Sequence, residues 1–222
     1  VQVTGLEFYE EFKAAIEEGY DTIICFTISK EASGTYQNAH LAVQMLEEDG
    51  IKADVNIVNG YLSYVYGRAV VEAAKMAQNG CDKDEIIETA NKLIDSARVY
   101  FLVDSLKYLK KGGRISAAAA TVGDILNIKP ILSIGDGLVT VAEKVRGSKK
   151  ALARMFELID EAGIRDAKEV YIFDGDAGDE LIEKVRSELK ERFGVTNAEI
   201  AIVGPVIGTH AGPGLVGIMI FK

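Results

Sequence analysis

The sequence predicts an α/β fold of two domains, the first built on a parallel sheet and the second on a mixed one. Three observations predict it. Short apolar runs rich in β-branched residues alternate along the chain with longer segments of helical period, the pattern of strands joined by helices. Gly135-Asp136-Gly137 stands between two strand-like runs and reads as a hairpin, which makes the second sheet mixed. The stretch Gly80 to Asp84 separates strand–helix units on either side, so the domains are expected at residues 1–82 and 83–222.

The elements follow in order. Leu6 to Glu18 repeats its apolar residues at helical spacing (Leu6, Phe8, Tyr9, Phe12, Ile16). Asp21 to Ile28 is a continuous apolar run, as in a buried parallel strand. A helix from about Gly34 to Glu48 and a strand from Ala53 to Val58 complete the first unit's start. Leu62 to Gln78 and Asp84 to Asp95 read as helices, with Asn79-Gly80 as the stop between them. Arg98 to Val103 is a strand and Ser116 to Leu126 an alanine-rich helix. Pro130 to Ser133 and Leu138 to Glu143 form the hairpin. Helix 148–162, strand 168–173, helix 178–192 and strands near 197–203 and 215–221 close the chain.

Composition narrows the function. A chain of 222 residues, 48% hydrophobic, can bury one large or two small cores. No apolar run approaches the length of a membrane span. Val-Gln-Val-Thr-Gly at the start lacks the basic and apolar regions of a signal peptide, so a cytoplasmic protein is expected. A net charge of −9 argues against nucleic acid as partner. Cys25 sits in an apolar strand and Cys81 at the head of a polar helix, with no ligand company, so neither metal nor cofactor is expected. Basic residues gather in the middle third, from Lys107 to Arg154, where they either balance nearby acids or serve an anionic partner.

Three segments carry the candidate chemistry. Val203 to Gly217 holds two of the three prolines, five glycines and one of the two histidines, His210. A segment so constrained reads as a rigid loop aiming His210, or as an ordinary tight turn. Ser33-Gly34-Thr35 follows a strand and opens a helix, the place where α/β sheets bind anionic ligands. Taken alone, the motif favours Ser33 as the cap of that helix, and the two roles are compatible. Asp104 to Ser116, with Leu126 to Leu132, Asp136-Gly137 and Lys144 to Arg146, is the third. Its Gly112-Gly113-Arg114 lacks the ending of a phosphate-binding loop and reads as a helix-stopping turn. His40 lies among Ala39, Leu41 and Val43 and reads as an ordinary surface or boundary residue.

Together these segments, in order and spacing, resemble the DegV family of bacterial fatty-acid-binding proteins, the acyl-carrying subunits of a fatty acid kinase. The resemblance implies two α/β domains with one long-chain fatty acid between them, and no catalysis by the chain itself. It implies that Ser33 and His210 hold the carboxylate, with Ser29, Gly34 and Thr35 around it, and that Arg146 lies near the ligand's polar end, toward acyl-phosphate or the kinase. A bound carboxylate would raise the pKa of His210. Ala117 to Ala120, Val122, Ile125, Leu126, Ile128, Ile131 and Leu132 are candidates for an apolar tunnel, or simply core. The chain departs from the family pattern in three places. The family's Asp-Ser after the second strand is Asn59-Gly60 here, and its paired serines are Ser29-Lys30. Gln2 and Thr4 match only the end of its Thr-Ser-Gln-Pro-Ser motif, so the family's N-terminal strands are expected to be absent, leaving an open sheet edge prone to pairing. The alternative function is a Ser/His-dependent enzyme acting on a small carboxylated or phosphorylated substrate. It has no Gly-x-Ser-x-Gly elbow to support it.

Overall fold

The computed structural model describes residues 2–62, 64–116 and 127–222. The expected helix at Ser116 to Leu126, with tunnel candidates Ala117 to Ala120, Val122, Ile125 and Leu126, lies almost wholly outside them. The chain divides into two compact units, Val1–Asp95 and Ser96–Lys222. The division falls beyond the Gly80 to Asp84 stretch, so the helix that follows that stretch goes with the first unit. Its opening residue Lys83 pairs with Asp54 of that unit.

The first unit runs α1 (Gly5–Glu17), β1 (Thr22–Thr27), α2 (Thr35–Glu48), β2 (Asp54–Asn59), α3 (Tyr64–Gln78) and α4 (Lys83–Ser96). Thr4 starts α1 through a reciprocal cap. Its Oγ1 accepts from the Glu7 N–H at 3.2 Å, and Glu7 Oε2 accepts from the Thr4 N–H at 2.7 Å, satisfying two donors that a helix start leaves open. β1 and β2 pair in parallel, Thr22 opposite Asp54 through Thr27 opposite Asn59. Alternate residues Ile23, Cys25, Val55 and Ile57 pack against Phe12, Ala42 and Leu46 of α1 and α2. Burial pushes the Cys25 thiol up to about 11. The other face looks onto α3 and α4 across a cleft of about 850 Å³, lined by Ile24, Val70, Ala73, Ala77 and Ile86. The apolar run of β1 reads as a buried strand, and Ile23 to Phe26 are half-buried.

The second unit contains β3 (Ala97–Leu102), α5 (Lys107–Gly112), β4 (Ile128–Gly135), β5 (Leu138–Arg146), α6 (Ser148–Glu161), β6 (Glu169–Gly175), α7 (Asp179–Phe193), β7 (Glu199–Ile202), α8 (Pro205–Ala211) and β8 (Leu215–Phe221). The sheet order is β5-β4-β3-β8-β6-β7. Among the described strands β6 and β7 pair in parallel and the other neighbours antiparallel, so the sheet is mixed as predicted. The hairpin turns at Asp136 and Gly137, both at positive φ (47° and 73°), the conformation a two-residue hairpin turn requires.

All seven residues of β8 are buried. It pairs antiparallel with β3 on one side and β6 on the other. Ile131, Ile172, Ile218 and Ile220 on one sheet face meet Met155, Phe156 and Ile159 of α6 and Val185 and Leu189 of α7. The tunnel candidate Ile131 is therefore core, and Leu132 beside it is also fully buried.

Ile218 is fully buried while Ile202 is 71% exposed. Ile218→Ala is expected to cost about 2–5 kcal/mol and Ile202→Ala no more than about 0.5 kcal/mol. Urea denaturation of both variants checks the contrast, and equal losses would mean that β8 is not the centre of this core.

Candidate functional site

In the first unit, the loop between β1 and α2 is tied to the end of β2 by backbone groups. Ser29 N–H donates to the Tyr61 carbonyl (3.0 Å), Gly60 N–H to the Thr27 carbonyl (3.0 Å) and Lys30 N–H to Asn59 Oδ1 (3.0 Å). The departures from the family pattern thus have structural work. Asn59 supplies the acceptor, and Gly60 lies so close to the Thr27 carbonyl and Tyr66 that no β-carbon fits. The N–H groups of Ala32 and Ser33 turn back to the Ser29 carbonyl (3.0 and 3.1 Å), which brings the chain into α2.

The hydroxyls divide into two kinds. Ser29 is fully buried. Its Oγ donates to Glu31 Oε2 (2.9 Å) and accepts from the Glu31 N–H (3.2 Å), so it holds the loop. Ser33 is half-buried. Its Oγ accepts from the Thr35 N–H (3.2 Å) and shares a hydrogen bond with Thr35 Oγ1 (2.8 Å). The N-cap itself is Gly34, whose N–H donates to Gln2 Oε1 (3.1 Å). A neutral amide oxygen thereby sits where the partial positive charge of a helix start draws an anion. Asn38 Nδ2 fixes the same segment through the Val3 carbonyl (2.6 Å). Sequence reasoning matched Gln2 only to the tail of a motif, and Asn38 carried no signal beyond a polar helix face.

In the second unit, the segments around α5 and α8 meet. The expected rigid loop at His210 is instead helical over Pro205–Ala211. Pro205 occupies its first turn, where its fixed φ suits a helix and its missing N–H costs nothing. Thr209 Oγ1 donates back to the Pro205 carbonyl (2.8 Å). Three glycines allow the approach of the two segments. A β-carbon at Gly112 would overlap His210 Nδ1, one at Gly212 (φ 77°) the Tyr108 ring, and one at Gly214 (φ 82°) the Asp104 carboxylate. Lys129 Nζ donates to the Asp104 carbonyl (3.0 Å) and Arg114 Nη1 to the Gly112 carbonyl (2.6 Å). Gly113, left-handed at φ 67°, ends α5, the helix-stopping turn that was expected of Gly112-Gly113-Arg114.

His210 Nδ1 is buried with no hydrogen-bond partner among the described residues. Burial, and then the Arg114 guanidinium, hold the ring's pKa below the ordinary value of 6.5, since both penalise the imidazolium. Arg146 is exposed at the end of β5, opposite Ile128. Of the middle-third cations, Arg154 is committed to Glu143, Glu157 and Glu161 at 2.8–2.9 Å. His40 is exposed and stacks edge-on with Tyr36. Among the described residues no cluster of His, Cys, Asp or Glu is arranged to hold a metal ion, and no helix is long and apolar enough to cross a membrane.

The family model described as "Uncharacterised protein, DegV family" matches residues 1–222. The chain belongs to the DegV family. A DegV domain-containing protein of Caldanaerobacter subterraneus is 34% identical over 218 residues, which cover 98% of this chain and 76% of that relative. Another, of Listeria innocua, is 37% identical over 214 residues, covering 96% and 74%. Among solved structures, the chain is similar to a DegV family protein from Thermus thermophilus described by its fatty acid binding, with a TM-score of 0.84, 29% identity and coverage of 100% of this chain and 78% of that one. It is likewise similar to a fatty-acid-binding DegV family protein from Streptococcus agalactiae (TM-score 0.83, 29% identity, 100% and 77%). The candidate segments of this DegV chain all lie within the matched span.

The lowered pKa of His210 has a consequence for stability. The unfolded chain binds that proton more readily than the ligand-free folded one. The contribution of His210 is therefore complete above 6.5 and is lost as pH falls below it. Urea denaturation near pH 7.5 and near pH 5 is expected to show a smaller loss in His210→Gln than in the unsubstituted DegV chain. An identical loss in both would contradict the depressed pKa.

Proposed function

We propose that this chain binds one long-chain fatty acid in an apolar tunnel, with the carboxylate held by Ser33 and His210, and presents it to a separate kinase that forms the acyl-phosphate. The observation that carries this reading is the match along the whole chain to solved structures described as binding fatty acids, among them a hypothetical protein from Thermotoga maritima at 28% identity and a TM-score of 0.77. The chemistry of the two clusters supports it. Ser33 keeps a hydroxyl proton for an acceptor if Thr35 donates to it. Thr35 and Gly34 place backbone donors at a helix start, where Gln2 Oε1 is the group a carboxylate would replace. Ser29 shapes the loop from beneath. Arg146 faces solvent as a phosphate or kinase contact, a role suited to guanidinium. The protein works in the cytoplasm as a carrier, and the chemical step belongs to its partner.

Two titrations test the reading. Ser33→Ala and His210→Ala are each expected to weaken binding of a fluorescent fatty acid by about 1–3 kcal/mol, the value of a hydrogen bond to a charged group. Unchanged affinity in both would refute the clamp. Affinity is also expected to rise with chain length, by about tenfold per two methylenes until the tunnel is full. Acetate binding as well as palmitate would rule out a lipid carrier. Turnover of small ester substrates would instead favour the Ser/His enzyme.

A further inference from the structure

The two glycines that end α5 serve different ends. Gly113 has a left-handed φ of 67° and open space where a β-carbon would stand. It is glycine for its backbone. Gly112 is helical, with φ outside the left-handed range, and alanine would suit that conformation better than glycine does. The three atoms nearest to a side chain there all belong to the imidazole of His210: Nδ1 lies too close for a β-carbon to fit, with the ring's Cε1 and Cγ next (3.2 and 3.3 Å).

In glycine, the bond that would lead to a β-carbon leads to a hydrogen. The Gly112 Cα–H on that side therefore lies toward His210 Nδ1. A bare nitrogen lone pair can accept from that hydrogen, which is a weak donor. A protonated Nδ1 would set hydrogen against hydrogen, and its N–H would be buried without an acceptor among the described residues, at the full desolvation cost of an unpaired donor. We propose that Gly112 is the positioning residue of His210, fixing the neutral tautomer with the proton on Nε2, so that the ring offers its ligand a donor and no acceptor. The lowered pKa of His210 agrees, because the imidazolium needs a proton on Nδ1 as well.

The consequence for ligand choice rests on the fatty-acid reading above. A head group that meets Nε2–H must accept a hydrogen bond. A long-chain carboxylate fits, and a long-chain primary ammonium, which only donates, does not.

The decisive measurement is long-range ¹H–¹⁵N correlation on histidine-labelled protein. His40 is the only other histidine, so His40→Gln assigns the spectrum. At neutral pH, His210 is expected to show a pyridine-like Nδ1 and a pyrrole-like, protonated Nε2. A protonated Nδ1 would overturn the proposal, and this result needs no variant at Gly112. Gly112→Ala is expected to change the tautomer signature and to weaken palmitate binding about tenfold, with no further loss when it is added to His210→Ala. An unchanged signature in a folded Gly112→Ala protein would overturn the positioning role. If His210→Ala binds palmitate as well as the unsubstituted chain, the carboxylate clamp fails, while the tautomer still stands or falls on the spectrum.

Discussion

The second unit depends on backbone approaching side chain at distances that tolerate no β-carbon. Gly112, Gly212 and Gly214 each face a specific group: an imidazole nitrogen, a phenol ring and a carboxylate. These contacts fasten the segment after β3 to the segment before β8, two neighbours in the sheet. Without them α8 would have little reason to form. It is only seven residues long, with a glycine at each cap (Gly204 and Gly212) and Gly208 at its middle, far below the length at which a helix is stable alone. Packing against α5 supplies what propensity lacks, and it carries His210 along.

The loop of the first unit solves a different problem. A helix start leaves several N–H groups without partners. Here the Ser33 hydroxyl and the Gln2 amide take two of them, both neutral and both on side chains that can rotate away. The buried Ser29 hydroxyl, by contrast, is held on both sides by Glu31. The arrangement separates a fixed support from an exchangeable layer, which suits the carboxylate site proposed there.

The strands were legible because their physics is local. Leu215 to Phe221 reads as a buried strand from its run of apolar residues, and Asp136-Gly137 reads as a hairpin from the backbone those residues favour. The helix at Pro205–Ala211 was hidden because its glycines and proline argue for a loop, and only the packing of α5 overrides them. Gly34 and Ser33 were legible as a strand-to-helix junction, yet the Gln2 contact depends on how the first residues fold back over α2. Gly112 could not be read at all. Its reason for being glycine is His210, far along the chain, and beside Gly113 it looks like half of a turn. The division after Asp95 was hidden for a similar cause, since the tie between Lys83 and Asp54 crosses from one sequence element to another.

The central position of β8 also bears on how the second unit assembles. β5, β4 and β3 form one three-stranded block, and β6 and β7 another, and β8 is the strand that joins them. It is the last strand in chain order, and its partner β3 is the first of the unit. That pairing closes the largest loop the unit contains, which makes it the slowest kind of contact to form. Until it forms, two half-sheets present open inner edges, and a seven-residue apolar segment without a single charge waits unpaired. Such a segment is the sort that recruits the wrong neighbour. Assembly of this unit is therefore a race between one distant intramolecular pairing and association with other chains, and crowded synthesis or slow release of β8 would tilt it toward the second.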